Sequence, residues 1–255
     1  LMRALRNPLA EPGLIGVSST AALGAVVSLQ TGLAAALMLA LPLAALTGAG
    51  LAVLVMLALA GPRGGALALI LAGIAITTLS GAATSLVLNL SPNPFAAMEI
   101  VYWMMGSLAD RSMTHVWLAL PLMVAGSALL LTLGRGLDAL TLGEDAAQSM
   151  GVNLSRLRLV LVIGTALAVG ASVAVAGAIG FVGLVVPHLL RRLVGGMPSR
   201  LLPASALGGA AMVLAADIAV RVVAPDRDLK LGVLTALIGA PFFLHLIWRM
   251  KRVEA

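Results

Sequence analysis

The sequence predicts an all-α bundle of transmembrane helices, a single membrane domain over residues 1–255. Three observations carry that prediction. Of 255 residues, 61% are hydrophobic and only 10% are charged, whereas soluble domains are about a quarter charged. The charges divide the chain into apolar stretches long enough to cross a bilayer. The basic residues fall unevenly between the two sides those crossings would define. Too few charges are present to cover a water-soluble globule, and disorder, collagen and disulfide-stapled secreted domains are excluded by the same composition. Cysteine is absent, which removes thiol chemistry and Cys-ligated zinc or iron–sulfur sites.

About 20 apolar residues span the hydrocarbon layer. Between Glu11 and Arg63 lie 51 uncharged residues, room for two spans and a turn, placed at Gly13–Leu29 and Leu33–Ala60. The 35 between Arg63 and Glu99 hold a third, Ala66–Leu90, and a further segment. The 23 between Arg111 and Arg135 hold Val116–Leu133. The 32 between Arg158 and Arg191 hold Leu159–Ala176 and Val182–Val194. The latter is short, ends at Arg191 and Arg192, and reads either as a span with snorkelling arginines or as a re-entrant element. Leu201–Val220 and Leu231–Trp248 complete about eight spans.

The net charge of +6 tests this count. With both termini cytoplasmic, the inner side holds twelve basic residues, from Arg3 and Arg6 to Lys251 and Arg252, and the outer side four: Arg111, Arg221, Arg227 and Lys230. That is the bias of cytoplasmic loops, and it accounts for the basic excess without a nucleic-acid partner. Leu1–Pro12 lacks the apolar core and cleavage site of a signal peptide.

The chain carries 28 glycines, and small residues let helices approach closely in lipid. Gly24, Gly48, Gly50, Gly73, Gly81, Gly164 and Gly170 suit such packing, and Gly208–Gly209 mark one tight crossing. Pro42, Pro121 and Pro241 are expected to kink their spans. Ser91–Ser112 starts with a turn and continues through Glu99, Tyr102, Trp103, Met104 and Met105. It reads as a periplasmic amphipathic helix, either a lid or lining at an entrance or an interfacial helix resting on lipid.

Residues 135–158 form the longest inner loop, RGLDALTLGEDAAQSMGVNLSRLR. Thr141 with Glu144 at N3 makes a capping box, and Asp145 places a further negative charge in the first turn. Gly151 ends that helix, and Asn153 or Ser155 caps a second short one. Two short helices about a glycine hinge suit docking in a groove of a soluble partner, or form a structured loop without one.

This loop's EDAAQSMG resembles the coupling-loop signature of ABC importer permeases. RNPLAEPGLIGVSSTAALG (6–24), YWMMGSL (102–108), AGAIGFVGLVVPHLLRRLVG (176–195) and LGVLTALIGAPFFLHLI (231–247) extend the resemblance along nearly the whole chain. Together they are similar to the FecCD family, permeases for iron–siderophore, haem and vitamin B12 uptake. Members usually have ten spans, and this chain starts at what resembles the loop before the third.

The resemblance implies a transport subunit of the bacterial inner membrane, not an enzyme. It implies a second permease subunit (a homodimer), two cytoplasmic ABC ATPase subunits and a periplasmic binding protein. ATP is used by the ATPase, and no cofactor is bound here; the chain has no phosphate-binding loop, since Gly61–Gly65 is followed by no Lys-Ser/Thr. Gly143, Glu144, Asp145, Ala147, Gly151 and Leu154 would couple to the ATPase. Asn7, Leu9, Gly65 and Ala66 would form the cytoplasmic gate. Met104, Met105, Thr77, Ser80 and Leu234 would line the pathway. Arg221 and Arg111 would dock the binding protein, although Asp217 and Arg221, at i and i+4, also read as a self-neutralising pair. His115, His188 and His245 read as structural. Iron–siderophore is the default cargo, with vitamin B12 or haem as alternatives. An ion-gradient transporter would need mid-membrane carboxylates, which only Asp217 approaches.

Overall fold

A computed structural model describes residues 12–37, 39–61, 65–91, 93–223 and 229–254. All regular elements among them are helical. The sequence Pro12–Ile15 forms a 3₁₀ turn, followed by α1 (Val17–Gln30), a single turn α2 (Leu33–Ala36), α3 (Ala40–Ala60), α4 (Ala66–Asn89) and α5 (Pro94–Met104). Then come α6 (Met113–Thr132), α7 (Gly134–Ala139), a 3₁₀ turn at Leu140–Leu142 and α8 (Glu144–Ser149). The chain continues with α9 (Leu154–Ala176), α10 (Val182–Leu190), α11 (Pro198–Val223) and α12 (Leu231–Glu254). Among the described residues, α3, α4, α6, α9 and α11 are long and apolar enough to cross a bilayer, and α1 and the apolar part of α12 are shorter apolar helices.

The expected second span is broken. Leu37 is extended (φ −133°, ψ 118°), so Leu33–Ala60 divides into α2 and α3. Pro42 therefore stands in the first turn of α3, where its missing N–H leaves no bond unmade, and it introduces no mid-span kink. Pro121 and Pro241 do lie inside continuous helices. Polar starts extend the helices beyond their apolar cores: α9 begins at Leu154, because the Asn153 side chain accepts from the Arg156 N–H at 2.9 Å and caps it.

The core lies where α1, α3, α4 and α9 meet: Val17, Ala21, Ala25, Ala45, Ala49 and Met56 are almost fully buried there. Glycine makes the crossings tight. A Cβ on Gly24 would overlap the Ala44 carbonyl, and one on Gly48 the Thr20 carbonyl, so α1 and α3 touch backbone to backbone at two levels. Gly126 and Gly164 do the same for α6 and α9. Gly208 admits Val186 and Leu190 of α10. Gly50 and Gly81, also expected at contacts, face open space, and Gly209 makes only ordinary contact with Val182.

Helix α10 has nine residues, about 13 Å of rise, less than the roughly 30 Å hydrocarbon layer. Its flanks nonetheless join opposite ends of the bundle. At one end the Ser107 N–H donates to the Ala176 carbonyl at 2.8 Å, and α9 finishes beside Gly106. At the other, the Ser199 N–H donates to Asp138 Oδ1 of α7 at 2.9 Å. Residues 177–198 thus return the chain through the bundle with a short helix in the middle. Phe181, at φ 66°, starts that helix against Gly239 of α12, which has no Cβ to obstruct it.

Candidate functional site

The loop of residues 135–158 is ordered, and its hinges are glycines. Gly143 (φ 108°) precedes α8 and Gly151 (φ 85°) follows it, in a region of backbone space that favours glycine. The expected capping box is not formed. Helix α8 begins at Glu144, so Thr141 lies before it in the 3₁₀ turn and donates to the Asp138 carbonyl at 2.7 Å. Glu144 and Asp145 are first-turn acids, as the dipole favours. Asn153, not Ser155, is the cap, and it starts a continuous 23-residue helix rather than a second short one.

The six expected coupling residues divide by position. Ala147 (fully buried) and Leu154 pack with Ala139 in a small apolar cluster and hold the loop to the bundle. Glu144 pairs with Arg158, Oε2 to Nη2 3.1 Å. Asp145 is exposed, together with Gln148 and Ser149. Leu142 and Met150, which sequence reasoning did not single out, are 69% and 63% exposed. Both stand on a polar loop with apolar side chains uncovered, where large apolar groups mark a contact surface. Their signal was present in the sequence as the two large apolar residues bracketing the EDAAQS helix.

Asn7 and Leu9 lie outside the described residues. Gly65, exposed and extended (φ −73°, ψ 175°), precedes α4, and its carbonyl accepts from the Leu69 N–H. Ala66 is half-buried. Nearby, a cavity of about 470 Å³ is lined by Leu57, Leu69, Asn153, Arg156 and Arg158.

The residues expected to line a pathway do not share one face. Ser80 is 3% exposed, packed inside the bundle with Thr84, and Thr77 Oγ1 donates to the Gly13 carbonyl at 3.3 Å. Both lie on the packed side of α4. Its open side carries Leu67, Leu71, Ile74, Thr78, Leu79 and Ser85. Leu234 and Met104 are half-buried and Met105 is exposed.

At the end opposite the loop, Asn93 Oδ1 accepts from the Phe95 N–H at 3.0 Å and starts α5. Gly106 ends it. A Cβ on Gly177 would strike the Trp103 carbonyl, one on Gly232 the Met105 carbonyl, and the Gly232 N–H donates to the Gly106 carbonyl at 3.3 Å. Lys230 Nζ lies 5.5 Å from the Tyr102 ring centre, a cation–π distance. Arg111 lines a cavity of about 360 Å³ with Glu99, Trp103 and His115. Desolvation lowers the Arg111 pKa, opposed by the charge of Asp110. Arg221 Nε donates to Asp217 Oδ2 at 2.8 Å, and the arginine side chain remains 62% exposed. The pair and an accessible guanidinium therefore coexist. Arg221 and Arg111 are not brought together by any described contact.

The histidines have local partners. His115 Nδ1 lies 2.9 Å from Ser112 Oγ and caps α6; His188 meets the Phe242 ring edge-on, and His245 lies by Trp248. Among the described residues no three His, Cys, Asp or Glu side chains converge as a metal site.

Residues 3–249 match the FecCD transport family. An uncharacterized ABC transporter permease protein of Bacillus subtilis is 38% identical, covering 97% of this chain and 71% of the relative. The cobalamin import system permease protein of Halobacterium salinarum is 42% identical, covering 98% and 66%. The hemin transport system permease protein of Yersinia pestis is 39% identical, covering 96% and 75%. The chain thus spans about two thirds to three quarters of these relatives' length. A solved structure of a metal-chelate type ABC transporter in an inward-facing conformation superposes with a TM-score of 0.89 at 32% identity, covering 97% of this chain and 79% of that one. With an all-helical bundle, apolar crossing helices and a match along nearly its whole length, this chain is an integral membrane protein of the FecCD transport family, an ABC transporter permease and not an enzyme.

Proposed function

We propose that this permease carries a metal chelate, with iron–siderophore first, from periplasm to cytoplasm through the bacterial inner membrane, driven by ATP hydrolysis on separate subunits. The observation that carries the reading is the 135–158 loop: a short helix between two glycines of positive φ, anchored inward by Ala147 and Leu154, with Leu142, Asp145 and Met150 outward. This is a handle for a soluble ATPase, and the loop end of the bundle is accordingly the cytoplasmic one. The opposite end, with α5, Arg111 and Arg221, receives the binding protein. A second copy of the chain completes the pathway, with the apolar open side of α4 facing it. Relatives named for cobalamin, hemin and Fe(3+) dicitrate transport support the cargo class and keep vitamin B12 and haem beside iron–siderophore.

The test is uptake into vesicles containing the permease with its cognate ATPase and binding protein, using a ferric siderophore, cobalamin and hemin in parallel. Met150→Glu and Leu142→Glu are expected to reduce ATPase capture and uptake together. Uptake that persists without the ATPase, driven by a proton gradient, would overturn the reading.

A further inference from the structure

Glu144 opens α8, yet its carboxylate does not join the exposed face of that helix. Its Oε2 lies 3.1 Å from Arg158 Nη2, with the two side chains only 28% and 13% exposed. A pair withdrawn from water to this extent is screened less than one on the open surface. Arg158 is the fifth residue of α9, past the Asn153 cap and inside the regular helix.

Helix α8 has six residues, too few to be stable alone. Its joints at Gly143 and Gly151 have nothing within 4 Å of where a Cβ would stand, so no neighbouring group wedges them on that side. Two other ties hold the second half of α8. Ala147 packs with Ala139 and Leu154, and the Val152 N–H donates to the Ala147 carbonyl at 3.0 Å. The ion pair instead fastens the first residue of α8, and it fastens it to α9 beyond the Gly151 joint.

We propose that Glu144 and Arg158 form a strut that transmits the tilt of α8 directly to α9. The proposal rests on the coupling reading above and deepens it. Glu144 and Arg158 are positioning residues, and the surface offered to the ATPase is left to Leu142, Asp145 and Met150. Without the strut, α8 pivots on its glycines and its motion is lost before it reaches the transmembrane helix.

The experiment uses the full chain in lipid nanodiscs with its cognate ATPase and binding protein. Variants are Glu144→Gln, Glu144→Arg, Arg158→Glu and the swap Glu144→Arg/Arg158→Glu. Arg158→Glu is expected to raise amide exchange across residues 144–150 by about tenfold, because local opening reports local stability. It should leave ATPase capture within about threefold and lower cargo moved per ATP by about tenfold; the swap should restore both exchange and transport to within about threefold of wild type. Glu144→Gln, which preserves size, should shift exchange and transport in the same direction by a smaller factor. Wild-type exchange and transport in Arg158→Glu would overturn the proposal. So would loss of ATPase capture in both Glu144→Arg and the swap, since Glu144 would then touch the ATPase itself. Failure of the coupling reading looks different: the wild-type chain would capture no ATPase, and the strut would fall with it.

Discussion

Gly126 and Gly164 face one another across the α6–α9 crossing: a Cβ on the first would stand 2.6 Å from the Gly164 carbonyl oxygen, and one on the second 3.0 Å from that of Gly126. Helices in lipid gain little from hydrophobic exclusion and depend on such close approach. Gly164→Leu is expected to force the pair apart and destabilise the fold by about 1–3 kcal/mol, as overpacking does. Thermal unfolding in detergent reads this as a lower Tm. Gly50→Ala, at a site open to its surroundings, should leave Tm unchanged or slightly raised.

Asn153 holds the start of α9 through its bond to the Arg156 N–H. Asn153→Ala should cost about 1 kcal/mol, the usual effect of losing such a cap, and accelerate amide exchange at residues 155–157. Asn153→Asp, which keeps the acceptor, should stay near wild type. Equal exchange in all three would show that the cap carries no stability.

Phe181 and Gly239 give a test of coupling between α10 and α12. Gly239→Ala drives a methyl into the Phe181 Cβ and should destabilise by about 1–3 kcal/mol. In a Phe181→Gly background the same substitution no longer meets that side chain, so the two effects should fail to add. A double-mutant cycle by chemical denaturation measures this, and additivity would refute the contact.

Arg221 remains 62% exposed despite its bond to Asp217. The pair is therefore worth less than about 1 kcal/mol to the fold, and Asp217→Asn should barely move Tm. Capture of the binding protein should respond differently: Arg221→Glu is expected to weaken it by about tenfold, steeply with ionic strength, and Asp217→Asn to strengthen it slightly. Pull-down titrations at two salt concentrations decide the matter, and equal capture by wild type and Arg221→Glu would remove Arg221 from the proposed docking surface.

Much of this architecture was legible in the sequence because hydropathy and charge spacing report directly on burial in lipid. The boundaries of α4, the start of α12 at Leu231, the Asn93–Pro94 start of α5 and the Gly151 stop all follow from local chemistry, whereas α12 runs on past the expected Trp248 to Glu254. The rest depends on tertiary contacts. Leu37 turns extended within an unbroken apolar run, where hydropathy has no signal. Thr141 offered a cap, but Gly143 gave the chain a sharper start two residues later. Ser80 and Thr78 are both small and polar in α4, and only the packing of that helix against α1, α3 and the Pro12–Ile15 turn decides that one is buried and the other open. Gly126 was overlooked because its partner, Gly164, is distant in sequence. In the 135–158 loop the motif marked the segment proposed as the handle, whereas the pairing of Glu144 with Arg158 became visible only in the fold.

Gly106, Gly177 and Gly232 bring three stretches of backbone into direct contact, with the Ile179 side chain packed against Gly106. Bare main chain wedged this tightly cannot slide strand past strand without breaking hydrogen bonds. The ends of α5, α9 and α12 are therefore expected to travel as one slab, so that any rearrangement at that face swings the three together rather than parting them one by one.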